Sequence, residues 1–420
     1  MERIIFHIDV NSAFLSWSAS RDPDRIPDLR SIPSIIGGDM SRRHGIVLAK
    51  SIPARKFGIV TGEPIVQAMR KCPGLVLEAP DMAYYRKCSQ QLMDLLSSFC
   101  PVIEQVSIDE CYMDYLPICR EYPSPLEAAE QIRRAVRENL GFTVNIGISD
   151  RKVLAKMASD FRKPDLTHTL FSHEIQEKLW PLPVESLYMC GKSSVDTLHK
   201  LEINTIGQLA LCDPSILNAH LKSHGRLLYE YANGIDDRSV EPVPESAKGI
   251  GNSTTLVTDA LTRDDALPVL RELSDKVAAR LRHSSQNATM ISTEIKYADF
   301  KSVSHQSTLS VPTNTSAEIY RHACNLFDEI WDGSPIRLLG IRSSRLSATD
   351  APVQMSLFDY PSAQGAETSE ENFRAEPTIE KFQKLDKAMD AIRLRFGSSS
   401  VLRAADLPVK DGTIPTNKKK

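Results

Sequence analysis

Apolar and polar positions alternate with period two in some stretches and recur every three to four residues in others. Those changes of period mark out the elements of the chain. Ile4–Val10 is a short apolar run that predicts a strand, with Asp9 near its end, and Ser12–Ser20 predicts a short helix. Ile103–Ile108 and Cys111–Tyr115 are β-prone runs interrupted by Asp109 and Glu110. Acids are poor strand formers, so that pair is expected at a hairpin turn or strand end. Leu126, Ala129, Ile132 and Val136 recur at helical spacing behind Ser124 and predict a helix over Pro125–Asn139. Phe142–Ser149 alternates like a strand. The resulting β-α-β-β-α-β order is that of a ferredoxin-like fold.

Ile26–Pro73 interrupts this order with a Pro-, Gly- and Arg-rich stretch, expected to form a small separate lobe. Asp165–Ser239 reads as mostly helical, with turns at Cys190–Ser193 and Ile203–Gly207. Such turns can aim helix N-terminal N–H groups at a phosphate, or serve as ordinary helix connections. Glu241–Ser347 mixes strands (Asn252–Val257, Met290–Tyr297, Ser302–Val311, Ile336–Leu346) with helices at 264–283 and 316–332. Ala363–Glu376 is small, polar and acidic, and reads as a linker. Phe382, Leu385, Met389, Ile392 and Phe396 give Ile379–Phe396 an amphipathic helical pattern. The class is therefore α+β and multidomain; 420 residues is enough for two to four domains.

Composition narrows the picture only at a few points. With 41% hydrophobic and 25% charged residues, and no apolar run of membrane-spanning length, a soluble cytoplasmic protein is expected. Its eight scattered cysteines contain no Cys-x-x-Cys pair, which points to reduced thiols and away from zinc. Net charge is −3, but residues 21–71 carry ten Lys/Arg against five Asp/Glu. Phosphate binding needs such local patches rather than a basic whole. The near-neutral total predicts modest affinity for any polyanion.

Three acids at the ends of two neighbouring strands, Asp9, Asp109 and Glu110, would form an oxygen-rich cup suited to Mg2+. Close carboxylates repel, and a bound cation keeps them ionised. On spacing alone the same acids also read as solvated turn residues.

Their company changes that balance. Ile8-Asp9-Val10-Asn11 with Ala13-Phe14, then Ala54–Gly58, then Ser107–Glu110, closely resembles the Y-family, lesion-bypass DNA polymerases. Asn145–Ser149, Leu154–Ser159 and Lys163-Pro164 continue the resemblance in the same order, which runs from Arg3 to about Ser347. It implies a ferredoxin-like palm (1–25 and 74–164), inserted small fingers (26–73), a helical thumb with helix-hairpin-helix units (165–240), an α+β little finger (241–348) and a C-terminal tail (349–420). It also implies two Mg2+ ions held by Asp9, Asp109, Glu110 and the Val10 carbonyl. Arg55 and Lys163 would contact the triphosphate, Phe14 the sugar, and the Ser12 hydroxyl would stay available to the nucleotide. Ile52 and Ser12 stand where many relatives have aromatic residues, so either triphosphate affinity is weaker or Lys50 or Arg43 compensates. The first thumb hairpin departs from the usual Gly-x-Gly form.

Gln354-Met355-Ser356-Leu357-Phe358 resembles the pentapeptide that docks bacterial polymerases onto the sliding clamp, with Gln354, Leu357 and Phe358 as anchors. The expected function is low-fidelity translesion synthesis by a monomer using primer-template DNA and dNTPs, without proofreading. Two rivals are a template-free nucleotide cyclase and a catalytically silent DNA- and clamp-binding protein.

Overall fold

A computed structural model of the chain describes residues 3–39, 45–243, 246–351, 379–397 and 400–401. Of these, the residues up to 243 form one compact unit and those from 246 onward a second.

The first unit is built on a five-stranded sheet. In chain order its strands are β1 (Ile5–Val10), β5 (Ile103–Gln105), β6 (Glu110–Asp114), β7 (Val144–Ser149) and β8 (Thr167–Thr169), and their order in space is β5-β6-β1-β7-β8. The first four have the ferredoxin-like order, with β8 added in parallel beside β7. Strict alternation divides their side chains between two faces. Phe6, Ile8, Val10, Cys111, Met113, Val144, Ile146 and Ile148 enter an apolar core shared with α1 (Ala13–Arg21), α4 (Met82–Phe99) and α5 (Pro125–Leu140). His7, Asp9, Glu110, Tyr112 and Asn145 belong to the opposite face, which α6 (Lys152–Ser159) covers. A Cβ on Gly147 would lie 2.0 Å from the Ala155 carbonyl oxygen, so only glycine lets α6 lie this close to β7.

Helix α4, which sequence patterning left unassigned, is the second long helix of the core. Asp81 caps it by accepting from the Tyr84 N–H at 3.0 Å, and Tyr85, Leu92 and Leu96 are fully buried.

A small sheet, β3-β2-β4, joins β2 (Ser34–Gly37), β3 (Val47–Lys50) and β4 (Val76–Glu78). Its third strand lies past the boundary expected at residue 73. Two helices accompany it, α2 (Ile52–Arg55) and α3 (Ile65–Lys71), around a core of Ile35, Val47, Ile59 and Ile65. Farther on, α7 (Ile175–Lys178), α8 (Lys192–Lys200), α9 (Ile206–Leu211) and α10 (Pro214–Ala232) bury Leu179, Leu198, Leu209 and Leu228 together. Both predicted turns become helix starts: Gly191 precedes α8, and Thr205 caps α9 in a reciprocal box with Gln208.

In the second unit the antiparallel sheet β11-β10-β12-β9 contains β9 (Gly249–Ala260), β10 (Gln286–Tyr297), β11 (Ser302–Thr313) and β12 (Ile336–Ala348). It packs on α11 (Arg263–His283) and α12 (Ser316–Ile330). The last helix, α13 (Ile379–Phe396), has the predicted bounds and is anchored to this unit. Arg282 grips Asp390 through two hydrogen bonds, at 2.6 and 3.0 Å, and reaches Asp386 at 3.1 Å. Asp386 also accepts from the Ser316 N–H at 2.8 Å, capping α12, whose own Thr315 side chain makes no cap bond.

Breaking a buried pair strands its partner, at a cost of about 3 kcal/mol or more. Asp386→Ala is therefore expected to weaken the seating of α13 by that order and to speed amide hydrogen exchange at Ser316. Unchanged exchange would show that other contacts hold the helix.

Candidate active site

Asp9 stands at the centre of the covered face because its register partners are Glu110 on β6 and Asn145 on β7. Opposed residues on antiparallel strands present their side chains to the same face, so Asp9 and Glu110 are neighbours by construction. Asp109 precedes β6 and is fixed there by its carbonyl, which accepts from the Val10 N–H at 3.1 Å. Its carboxylate accepts from the Ser107 hydroxyl at 2.6 Å.

Lys156, which the sequence left without a role, enters here, and Lys163, expected at the triphosphate, has acid partners instead. Lys156, on α6, bonds Glu110 and lies 3.7 Å from Asp9. Lys163 reaches Asp9 at 2.5 Å and Asp160 at 2.9 Å. Lys156, Asp160 and Lys163 recur at intervals of four and three residues, a pattern that would have placed all three on one side of a helix and its exit.

Burial, and then the hydrogen bond to Asp9, push the Glu110 carboxyl up to about 7. Burial acts on Asp9 in the same sense, but its bonds to Glu110 and Lys163 outweigh that and leave it below the usual range. The opposite directions share one cause: the hydrogen bond between the two carboxyl groups disfavours ionisation of Glu110 and favours that of Asp9. Among the described residues, no three His, Cys, Asp or Glu side chains converge as a closed metal cage. Ammonium groups supply the positive charge instead. The two carboxylates offer only oxygen ligands, and such a pair, once the ammonium groups are displaced, fits a hard divalent cation.

A cavity of about 710 Å3 opens beside the acids and is lined by Asp9, Val10, Ser12, Phe14, Arg55, Asp109 and Lys163. Among the described residues the geometry thus brings together every predicted metal- and nucleotide-contacting residue except Glu110, which adjoins through Asp9. Arg55 ends α2, whose start is set by buried Ser51: its hydroxyl accepts from the Ala54 N–H at 3.0 Å and donates to the Ile32 carbonyl at 2.7 Å. Ser12 has left-handed backbone (φ 49°) and makes no side-chain cap bond to α1. Exposed Ile52 lines the cavity too, as does Lys50, whose ammonium donates to Thr61 at 3.3 Å. Partial burial, and then Arg55 nearby, pull the Lys50 pKa down. Arg43, Gln354, Leu357 and Phe358 lie outside the described residues.

The impB/mucB/samB family profile matches residues 8–160, and that of the family's C-terminal domain matches 247–357. DNA polymerase IV of Clostridium acetobutylicum is 43% identical over 407 residues, covering 96% of this chain and 98% of the relative. The chain belongs to the Y-family DNA polymerases, the impB/mucB/samB family. DNA polymerase IV 1 of Bacillus subtilis is 35% identical over 94% of the chain and 93% of the relative. The fold agrees: a Y-family DNA polymerase chimera, Dbh-Dpo4(243-245)-Dbh, superposes with a TM-score of 0.72 at 21% identity, covering 82% of this chain and 99% of that one.

This Y-family chain is a DNA-directed DNA polymerase of the translesion kind. Neither the nucleotide cyclase nor the silent accessory protein finds support. Family membership implies dependence on a divalent metal in general. All eight cysteines are free. No helix among the described residues is long and apolar enough to cross a membrane.

Proposed function

We propose that Asp9, Asp109 and Glu110, with the Val10 carbonyl, hold two Mg2+ ions for nucleotidyl transfer in the cavity described above. The observation that carries this reading is the Asp9–Glu110 pair, opposed in register and with Asp9 buried, whose oxygens are held by lysine ammonium groups at the wall of a cavity of nucleotide-binding size. When bound, the ions would supply activation of the primer 3′-hydroxyl and neutralisation of the phosphates. Lys163, now spent on Asp9, would turn to the triphosphate, and Arg55 would offer its planar fork to the same oxygens. Charge from both offsets what develops on the departing pyrophosphate. Phe14 would bear on the sugar, with the Ser12 hydroxyl free to bond the nucleotide. A Mg2+ titration of primer extension tests the assignment: Asp9→Asn should raise the Mg2+ requirement steeply, and an unchanged requirement would refute it.

In this reading the five-stranded sheet is the palm, the small sheet the fingers, the helices from α7 to α10 the thumb and the second unit the little finger. Proofreading is not part of the function. A monomer in the cytoplasm is the expected state, in keeping with eight free thiols.

Gln354–Phe358 would dock the chain on a sliding clamp, Leu357 and Phe358 filling an apolar pocket while Gln354 fixes register. The near-neutral charge leaves the enzyme dependent on such a tether. Leu357→Ala with Phe358→Ala should leave synthesis on a short primer unchanged and remove stimulation by a loaded clamp. Equal stimulation of the variant would make the motif structural.

A further inference from the structure

Two buried amides lie beside the acids without any part in the chemistry above. Asn145 is fully buried, opposite Asp9 in the register of β1 and β7. Each of its four hydrogen-bonding positions is used. Its Oδ1 accepts from Asn11 Nδ2 and from the Leu166 N–H, both at 3.1 Å. Its Nδ2 donates to the carbonyls of Ser159 at 3.0 Å and Arg162 at 2.7 Å. Asn11 continues the net: its Oδ1 accepts from the Thr143 hydroxyl and the Asp165 N–H, both at 2.9 Å.

The sheet therefore grips the chain at residues 159, 162, 165 and 166. From the last residue of α6 to the start of β8 the chain makes one backbone bond to the sheet, Ile146 N–H to the Leu166 carbonyl at 3.0 Å, and the two amides pair further backbone groups of the stretch. Lys163 sits inside the gripped stretch, with its ammonium 2.5 Å from Asp9. Lysine has a long flexible stem and reaches a fixed point reproducibly only if its backbone is held. Asparagine suits the task because one neutral group both donates and accepts. An aspartate at 145 would turn an acceptor toward two carbonyls and add a charge beside Asp9.

We infer that Asn11 and Asn145 are positioning residues that set the Lys163 ammonium for the nucleotide triphosphate. The inference rests on the reading of Lys163 as a triphosphate contact.

The test is single-nucleotide incorporation, with KM and kcat measured separately, by the full-length enzyme and by Asn145→Ala, Lys163→Ala and the double variant. Inhibition by inorganic triphosphate gives a second readout that involves no chemistry. Asn145→Ala is expected to raise KM for the nucleotide about tenfold, since displacing a binding group by a fraction of an ångström has effects of this size. The double variant should be no worse than Lys163→Ala alone, because residues acting through one group are not additive. A double variant whose defect is the product of the two single ones, or a folded Asn145→Ala with unchanged KM, overturns the inference. If Lys163→Ala alone leaves KM and inhibition unchanged, the reading beneath it falls first. Should Asn145→Ala fail to fold, Asn11→Ala carries the same comparison: a KM rise that disappears in the Lys163→Ala background supports the inference, and one that persists there overturns it.

Discussion

Asp109→Ala is expected to abolish nucleotide addition while leaving the fold and DNA binding almost intact. The reason lies in how differently the backbone and the side chain of this residue are used. Its carbonyl closes the join between β1 and the start of β6, accepting from the Val10 N–H at 3.1 Å, and alanine keeps that bond. Its carboxylate accepts from Ser107 two residues away and otherwise borders the cavity. Truncation leaves no buried partner stranded, so the cost in stability stays well under that of breaking a buried pair. The catalytic cost is of another order. A ligand shared by both proposed cations loses its charge at both sites, and a thousandfold fall in rate corresponds to about 4 kcal/mol of barrier. Single-turnover primer extension with Mg2+, beside a melting curve and a DNA-binding curve, separates the two costs. More than a small residue of wild-type rate in the folded variant would sink the assignment of Asp109.

The period-two pattern carried much of the catalytic sheet. Apolar residues at 4–10, 142–149 and on both sides of Asp109 marked β1, β7 and the hairpin, and strands that bury one face in α1, α4 and α5 leave their polar positions together on the other. Helix α4 escaped notice because charged and polar residues make it apolar only on one stripe, entered after a Pro-Asp signal that resembles any loop. Lys156 and the parts played by the asparagines of the site were hidden for a different reason. Asp9 faces Glu110 and Asn145 only through registers joining residues more than a hundred positions apart, and no local pattern encodes those pairings. The Arg282–Asp386–Asp390 cluster was equally invisible: its acids looked like the solvated face of an amphipathic helix until α12 supplied an open N-terminus for one of them.

Phe14→Ala should raise ribonucleotide incorporation far more than it lowers use of deoxynucleotides. Phe14 lies at the start of α1, five residues beyond Asp9, and lines the same cavity as Asp9 and Arg55. Its ring is also partly in the core, stacked on Tyr85 with centroids 4.7 Å apart and planes 9° from parallel, and 6.1 Å from Trp17. Core packing and the proposed selective role are compatible in one arrangement, with Tyr85 behind the ring keeping it from yielding. A 2′-hydroxyl brought against such a wall either clashes or is buried without a partner, and an unpaired buried polar group costs roughly 1–3 kcal/mol. That corresponds to about ten- to a hundredfold discrimination, with steric overlap adding to it. Tyr85→Leu provides an independent arm, since it removes the stacking support without altering the cavity wall, and selectivity should relax part of the way. Stacked aromatic pairs contribute about 1 kcal/mol beyond burial, so both variants should also melt earlier. The deciding quantity is the ratio of kcat/KM for ribo- and deoxynucleotide in variants that remain folded. If that ratio stays at the parent value in Phe14→Ala, the ring serves the core alone and the sugar is checked elsewhere.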